Sequence, residues 1–173
     1  MRTERLLFAP WMESDWLALR PIATDPEVMR YINDGQAWPD DRIRSFVERQ
    51  MDCYRLRGYC LWRLTEESSG ETIGFCGLQP LEGTAEVEIG WWLRRSHWGH
   101  GLATEAARAA LGYGFGRAGL ERIVAIALPE NRASLRVMEK LGMRYERDIQ
   151  HRGFEVVLYA VSRTPGVRYI PEE

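Results

Sequence analysis

The chain has 173 residues, of which 45% are apolar and 28% charged, and its formal net charge is −2. That size and balance predict one soluble domain over residues 1–173, with a full hydrophobic core. Without a long basic run, nucleic-acid binding is excluded as the main task, and without a long apolar run no membrane span is expected.

Residues 6–9 predict a short strand, which Pro10 stops. Ser14 is placed to cap a helix through about Arg20, and Asp25-Pro26-Glu27 opens another short one. Asp34-Gly35 is a turn. Pro39-Asp40-Asp41 opens a helix to about Leu56, with Ile43, Phe46, Val47 and Met51 on one side. Arg57-Gly58 closes it. Strands are expected at 59–65, 71–80 and 85–93. The short links between them, 68–71 and 82–84, predict an antiparallel meander. Gly74 and Gly77 predict bends in its second strand.

The periodicity then changes. Leu102, Ala106, Ala109, Ala110, Tyr113 and Phe115 predict an Ala-rich helix, weakened at its end by Gly112, Gly114 and Gly116 and terminated by Gly119. Residues 121–128 read as a buried strand, and 131–141 as a helix closed by Gly142. Two last strands, 143–149 and 154–161, turn at Gly153. A mostly irregular tail is expected over 164–173, which holds two prolines.

Cys53, Cys60 and Cys76 show no pairing pattern and read as reduced thiols of a cytoplasmic protein. The first residues lead into no apolar signal core, which fits that compartment. Three His and no Cys/His cluster argue against bound metal. The seven Trp serve either packing or an aromatic wall around a small ligand.

The most informative stretch runs from Ser96 to Ala106, where a small-residue turn feeds a helix. The first amides of a helix lack intrahelical partners. Gly99 and Gly101 carry no side chains to keep a ligand off them, and the helix dipole favours an anion there. Arg94 and Arg95 add charge nearby. Two other phosphate motifs are absent. No GxxxxGK[ST] run occurs, and Gly99-His100-Gly101 lacks the third glycine of the dinucleotide fingerprint.

Taken together, the motifs resemble the GCN5-related N-acetyltransferase (GNAT) superfamily, and within it the branch of ribosomal-protein N-terminal acetyltransferases. The matching runs are Arg5-Leu6-Leu7-Phe8, Glu88-Ile89-Gly90-Trp91-Trp92-Leu93, the segment from Trp98 to Ala106, and the segment from Asn131 to Met143. The resemblance implies an α/β (α+β) fold: a mixed, mostly antiparallel sheet of about seven strands flanked by helices and splayed between the fourth and fifth strands. It implies acetyl transfer from acetyl-coenzyme A to a primary amine, either a protein N-terminus or a small molecule, without nucleic acid, membrane or metal. A homodimer is compatible with the family and has no sequence feature of its own. The alternative is a non-catalytic acyl-coenzyme A binding module.

The same resemblance implies that Arg94, Arg95, Ser96, Trp98, Gly99, His100, Gly101, Leu102 and Ala103 surround the coenzyme pyrophosphate, with Arg132 and Arg136 near its phosphates. Where the family pattern opens with Gln or Arg, this chain has Ser96. The pantetheine arm would pair with the strand around Trp92 and Leu93, and Asn131 would hold its amide. A backbone amide at Trp91 or Trp92 would meet the thioester oxygen.

An alkyl ammonium must lose a proton before it can attack, so a carboxylate beside the site is needed. Glu86 and Glu88 alternate onto one strand face, close enough for like charge to raise one pKa. Either could be the base, with Glu88 nearer the expected splay. Many family members protonate the thiolate with a tyrosine seven residues after the asparagine, where this chain has Met138. The closer branch offers Ser134 instead. On the acceptor side, Tyr31, Trp38 and Tyr54 would form an aromatic wall, and His151 would face the acceptor. Catalysis by His97 or His100 is not expected.

Overall fold

The computed structural model describes residues 1–164 and Gly166, so most of the tail expected over 164–173 lies outside the described residues. The chain runs β1 (Leu6–Ala9), a 3-10 turn (Glu13–Asp15), α1 (Trp16–Ala23), α2 (Pro26–Met29), α3 (Asp40–Arg57), β2 (Leu61–Glu66) and β3 (Thr72–Pro80). It continues through β4 (Val87–Leu93), a second 3-10 turn (Arg95–His97), α4 (Leu102–Gly116) and β5 (Arg122–Ala127). The last elements are α5 (Arg132–Lys140), β6 (Arg144–His151) and β7 (Phe154–Ser162).

One seven-stranded sheet carries the order β1-β2-β3-β4-β5-β7-β6. The first four strands are antiparallel neighbours, as the short links of the meander require. β5 also runs antiparallel to β7, and β6 to β7. The β4–β5 contact is parallel and holds one register pair, Glu88 with Val124. The mixed α+β sheet and its parting between the fourth and fifth strands are those expected.

Helices cover both faces. Ideal Cβ atoms show why glycine sits at the tightest points. A Cβ on Gly114 of α4 would come within 2.7 Å of Ile123 Cδ1 and 2.9 Å of Leu78 Cδ1. That close approach seats α4 on the Leu78 face of β3. The opposite face carries α3, where Phe46 and Phe75 rings lie 5.1 Å apart. Gly74 of β3 has φ +154°, and a Cβ there would lie 2.0 Å from the Trp92 carbonyl oxygen. The β3–β4 pairing therefore requires glycine at that position.

Three local expectations need correction. Ser14 does not cap α1. Asp15 is its N-cap residue, and the Asp15 carboxylate accepts from the Met12 amide at 2.8 Å. The helix also passes Arg20 and Pro21 to reach Ala23. Burial of Leu19, Ile22 and Ala23 at 0% exposure offsets the amide that Pro21 lacks. On α3 the fourth inward residue is Gln50, while Met51 is exposed. Gln50 is tolerated in the core because its amide is bonded on both sides. Oε1 accepts from the Leu61 amide at 2.9 Å, and Nε2 donates to Gln79 Oε1 at 3.0 Å.

Two glycines should respond oppositely to alanine. Gly74→Ala forces backbone against backbone and should lower stability by at least about 3 kcal/mol. Gly112→Ala meets open space inside α4 and should raise it by about 1 kcal/mol, or roughly 2–4 °C in Tm. Thermal unfolding of both variants checks this, and similar shifts in the two would contradict the packing described.

Candidate active site

Beyond Glu88 and Val124 the strands β4 and β5 separate, so β4 presents an edge without a strand partner among the described residues. Two chambers open at the gap. One, of about 220 Å³, lies on the α3 side. The other, of about 350 Å³, runs along the glycine turn before α4. They share Tyr31, Trp91, Trp92, Asn131 and Ser134 as a common wall.

The second chamber can take an anion at its glycine turn. Gly99 and Gly101 take φ of +80° and +79°, a left-handed conformation that glycine adopts freely. Gly101 is the N-cap of α4 and supplies no side-chain cap. The leading amides of the helix therefore face the chamber side without an internal acceptor. Leu93, Trp98, Leu102, Ala103 and Arg136 line the same space. Trp98 is fixed by its indole N–H, which donates to the Leu93 carbonyl at 2.8 Å.

Four expected residues point elsewhere. Arg94 is bonded to Glu71, Ser96 Oγ lies 2.9 Å from His97 Nδ1, and Arg95 and His100 are exposed outside the chamber lining. The 3-10 turn over Arg95–His97 intervenes before the glycines and sets these side chains off the groove. Arg132 is likewise exposed and outside the lining, whereas His97 lines the chamber.

A different arginine serves the turn. Arg5 Nη1 donates to the His100 carbonyl at 2.9 Å, and Arg5 Nε donates to Glu105 Oε2 at 2.7 Å. Burial would raise the Glu105 pKa, but bonds from Thr3 and Arg5 outweigh it and hold the carboxyl low. Glu105 thus stays ionised, and Arg5 neutralises a charge that would otherwise repel an anion at the helix start. Arg5 stands nearly 100 residues away in the chain, and periodicity carries no signal for that contact.

The first chamber centres on Glu88. It keeps some accessible surface because it faces the cavity, yet protein surrounds it on the other sides. Loss of hydration there raises its pKa, opposed by a hydrogen bond from Gln79 and by the charge of Arg152. The donor order is set along a chain: the Leu61 amide to Gln50, Gln50 to Gln79, and Gln79 Nε2 to Glu88 Oε1. Each amide is oriented by the one before it, so Glu88 receives an N–H and its other oxygen is left for a ligand. Gln50 and Gln79 were missed in sequence because neither is ionisable, and their role exists only across elements.

Glu86 does not join this site. It precedes β4 and accepts from Arg122 Nε at 3.2 Å, while Arg122 also makes two bonds to Glu146 at 2.7 and 2.6 Å. The raised Glu88 pKa arises from burial and not from a neighbouring carboxylate.

The aromatic wall is present in part. Trp38 and Trp92 lie 4.7 Å apart in edge contact, and Phe46 stacks on Trp92 at 6.5 Å. Tyr31 reaches both chambers. Tyr54 does not line either one. It sits one turn beyond Gln50, where α3 has passed the cavity, and is exposed. His151 lines the first chamber, and burial followed by the charge of Arg152 lowers its pKa, which leaves it neutral near pH 7.

α5 closes the wall. Asn131 is its N-cap residue, and Oδ1 accepts from the Ser134 amide at 3.2 Å. That bond occupies the Asn131 oxygen and turns Ser134 to the shared wall. Met138, one turn on, is buried at the edge of the first chamber and supplies no proton.

A parted sheet beside a glycine-headed helix, with a desolvated carboxylate at the gap, can hold an anionic ligand next to a proton acceptor. A family model for the acetyltransferase (GNAT) domain matches residues 5–144, and the chain belongs to that family. It is 37% identical to the uncharacterized protein YkkB of Bacillus subtilis, over 80% of each chain. It is 35% identical to the uncharacterized N-acetyltransferase YnaD of the same organism, over 83% of this chain and 82% of that one. The crystal structure of a GNAT-family acetyltransferase from Bacillus anthracis superposes with a TM-score of 0.80 at 32% identity, covering 94% of this chain and 97% of that one.

Burial of Glu88 has a stability consequence. A carboxyl whose pKa is higher folded than unfolded stabilises the fold at low pH, and that contribution is lost as pH rises through the folded pKa. Glu88→Gln removes the ionisation and keeps an acceptor for Gln79. Its Tm should exceed that of the parent at pH 8, and the gain should shrink toward pH 4. A gain independent of pH would mean that Glu88 is not desolvated in solution.

Proposed function

We propose that the protein transfers an acetyl group from acetyl-coenzyme A to a primary amine by direct attack in a ternary complex. The observation that carries this reading is the shared wall: an anion-binding groove and a carboxylate-floored chamber meet at Trp91, Trp92, Asn131 and Ser134. The donor fits the groove chemically. Pyrophosphate suits the uncapped amides after Gly101, and an amide-bearing arm suits the unpaired edge of β4. When bound, acetyl-coenzyme A supplies a thioester carbonyl as electrophile.

The protein's own groups supply the rest. Glu88 takes a proton from the incoming ammonium, directly or through water, so that nitrogen can bond to the carbonyl carbon. A β4 amide near Trp91 or Trp92 faces the charge that develops on the carbonyl oxygen. As the carbon–sulfur bond breaks, the Ser134 hydroxyl donates a hydrogen bond to the departing thiolate, and the second proton that the nitrogen sheds on becoming an amide passes to that sulfur, directly or through water. Ser134 does not need to surrender a proton, since a thiol of pKa near 8.5 leaves readily.

An acyl-cysteine route has no support. Cys76 is fully buried and burial drives its thiol pKa far up, and among the described residues no cysteine lines either chamber. The three thiols are free, which favours a reducing, cytoplasmic setting. Asn131 and Ser134 also support an affiliation with the branch of ribosomal-protein N-terminal acetyltransferases.

The assay is free-thiol release from acetyl-coenzyme A with a panel of amines. Glu88→Gln should lower kcat/KM by about 10²-fold or more and remove the acid limb of the pH profile. That limb in the parent should sit above the ordinary carboxylate range, because burial raises the Glu88 pKa. Tight coenzyme binding with no amine-dependent thiol release would instead identify a binding module.

Ser134→Ala tests the leaving-group contact. It should lower kcat about tenfold and leave coenzyme affinity unchanged. Equal loss in both would assign Ser134 to binding alone.

A further inference from the structure

The chamber around Glu88 carries positive charge that the transfer step does not use. Arg49 of α3 and Arg152 of the β6–β7 turn both line it, beside His151. Arg152 is matched, since its Nε donates to Glu82 Oε2 at 2.8 Å. Arg49 has no ion pair or hydrogen bond among the described residues. The charges that act on it are those of Arg152 and Arg42, which repel it, and of Glu82 and Glu48, which attract it. Arg49 is exposed at the surface of the chamber; partial desolvation first, then repulsion from Arg152 and Arg42, lowers its pKa, but a guanidinium stays protonated at any working pH. Arg42 is itself stacked over the Trp38 ring at 4.5 Å, which keeps its charge beside the aromatic wall.

Glu82 offsets Arg152, so the cavity-lining guanidinium left without a bonded carboxylate is Arg49, and planar guanidinium matches carboxylate or phosphate best. Glu88 meanwhile attracts the ammonium end of an acceptor. We infer that the acceptor is a small primary amine bearing one anionic group, carboxylate or phosphate, with its nitrogen at Glu88 and its anion at Arg49, on the side of the chamber that Arg152 also lines. The size follows from the chamber of about 220 Å³. This rests on the proposed reading of that chamber as the acceptor site. A linear polyamine fits worse, because its far ammonium would meet Arg49 and Arg152.

Thiol release from acetyl-coenzyme A is measured with an amino acid, its carboxamide, an aminoalkyl phosphate and 1,4-diaminobutane. At least one anionic amine should exceed the carboxamide and the diamine in kcat/KM by about tenfold, and added salt should narrow the gap. The carboxylate and phosphate arms distinguish the two anions. Arg49→Gln should raise KM for the anionic acceptor about tenfold, with kcat little changed and the carboxamide unaffected. Arg49→Lys should restore part of the affinity. Preference for the diamine or the carboxamide, or an equal effect of Arg49→Gln on every acceptor, would overturn the anion assignment and leave the transferase reading standing. No thiol release with any amine, from protein that binds the coenzyme, would overturn both.

Discussion

β4 and β5 share one register pair among the described residues, and the separation beyond it organises the functional half of the molecule. Each strand is held by its outer neighbour. β4 keeps its pairing to β3 from Val87 to Leu93, and β5 keeps its pairing to β7 from Arg122 to Ala127. Neither can swing across to close the gap without giving up a full ladder. An unpaired strand edge inside a sheet is a standing site for another extended chain. Because it lies at the middle of the sheet, helices from both faces reach it.

The two faces contribute opposite chemistry at that gap. On one side the start of α4 offers amides and a positive dipole end, and Arg5 cancels the nearby Glu105 charge. On the other side Glu88 is dried by its surroundings and aimed by the amides of Gln50 and Gln79. A single sheet opening thus keeps an electropositive groove and a basic carboxylate apart by only the thickness of a shared wall. The arrangement holds its polar groups in place before any ligand arrives, which is how enzymes avoid reorganising dipoles during reaction. Burying Glu88 opposes stability at neutral pH, and the aromatic packing of Trp38, Phe46, Phe75 and Trp92 around it offsets that penalty.

Secondary structure was legible wherever the local signal was strong. Pro39 and Gly58 bracket α3, Gly101 heads α4, Asn131 caps α5, and the meander follows from its short turns. Legibility failed where a side chain's neighbour comes from a distant element. Met51 looked like the inward apolar residue of α3, yet Gln50 takes that place because Leu61 and Gln79 satisfy its amide. Glu86 and Glu88 alternate correctly on paper, but Arg122 of β5 draws Glu86 into an ion pair and holds Glu146 as well. Tyr54 has the right helical phase and lies one turn too far along.

The amino-acid order by itself therefore determined the fold class, the glycine turn that can grip an anion, and Glu88, Asn131 and Ser134 as the residues beside it. The glycine turn depends on backbone propensity and spacing within one element, which are local properties, whereas the fold class, Asn131 and Ser134 follow from resemblance to a known family. Tertiary structure decided which carboxylate is dried, which arginine guards the glycine turn, and which charges line the chamber around Glu88. Those outcomes turn on desolvation and on contacts between residues far apart in the chain, such as Arg5 with Glu105 or Gln50 with Gln79, and no local pattern encodes them.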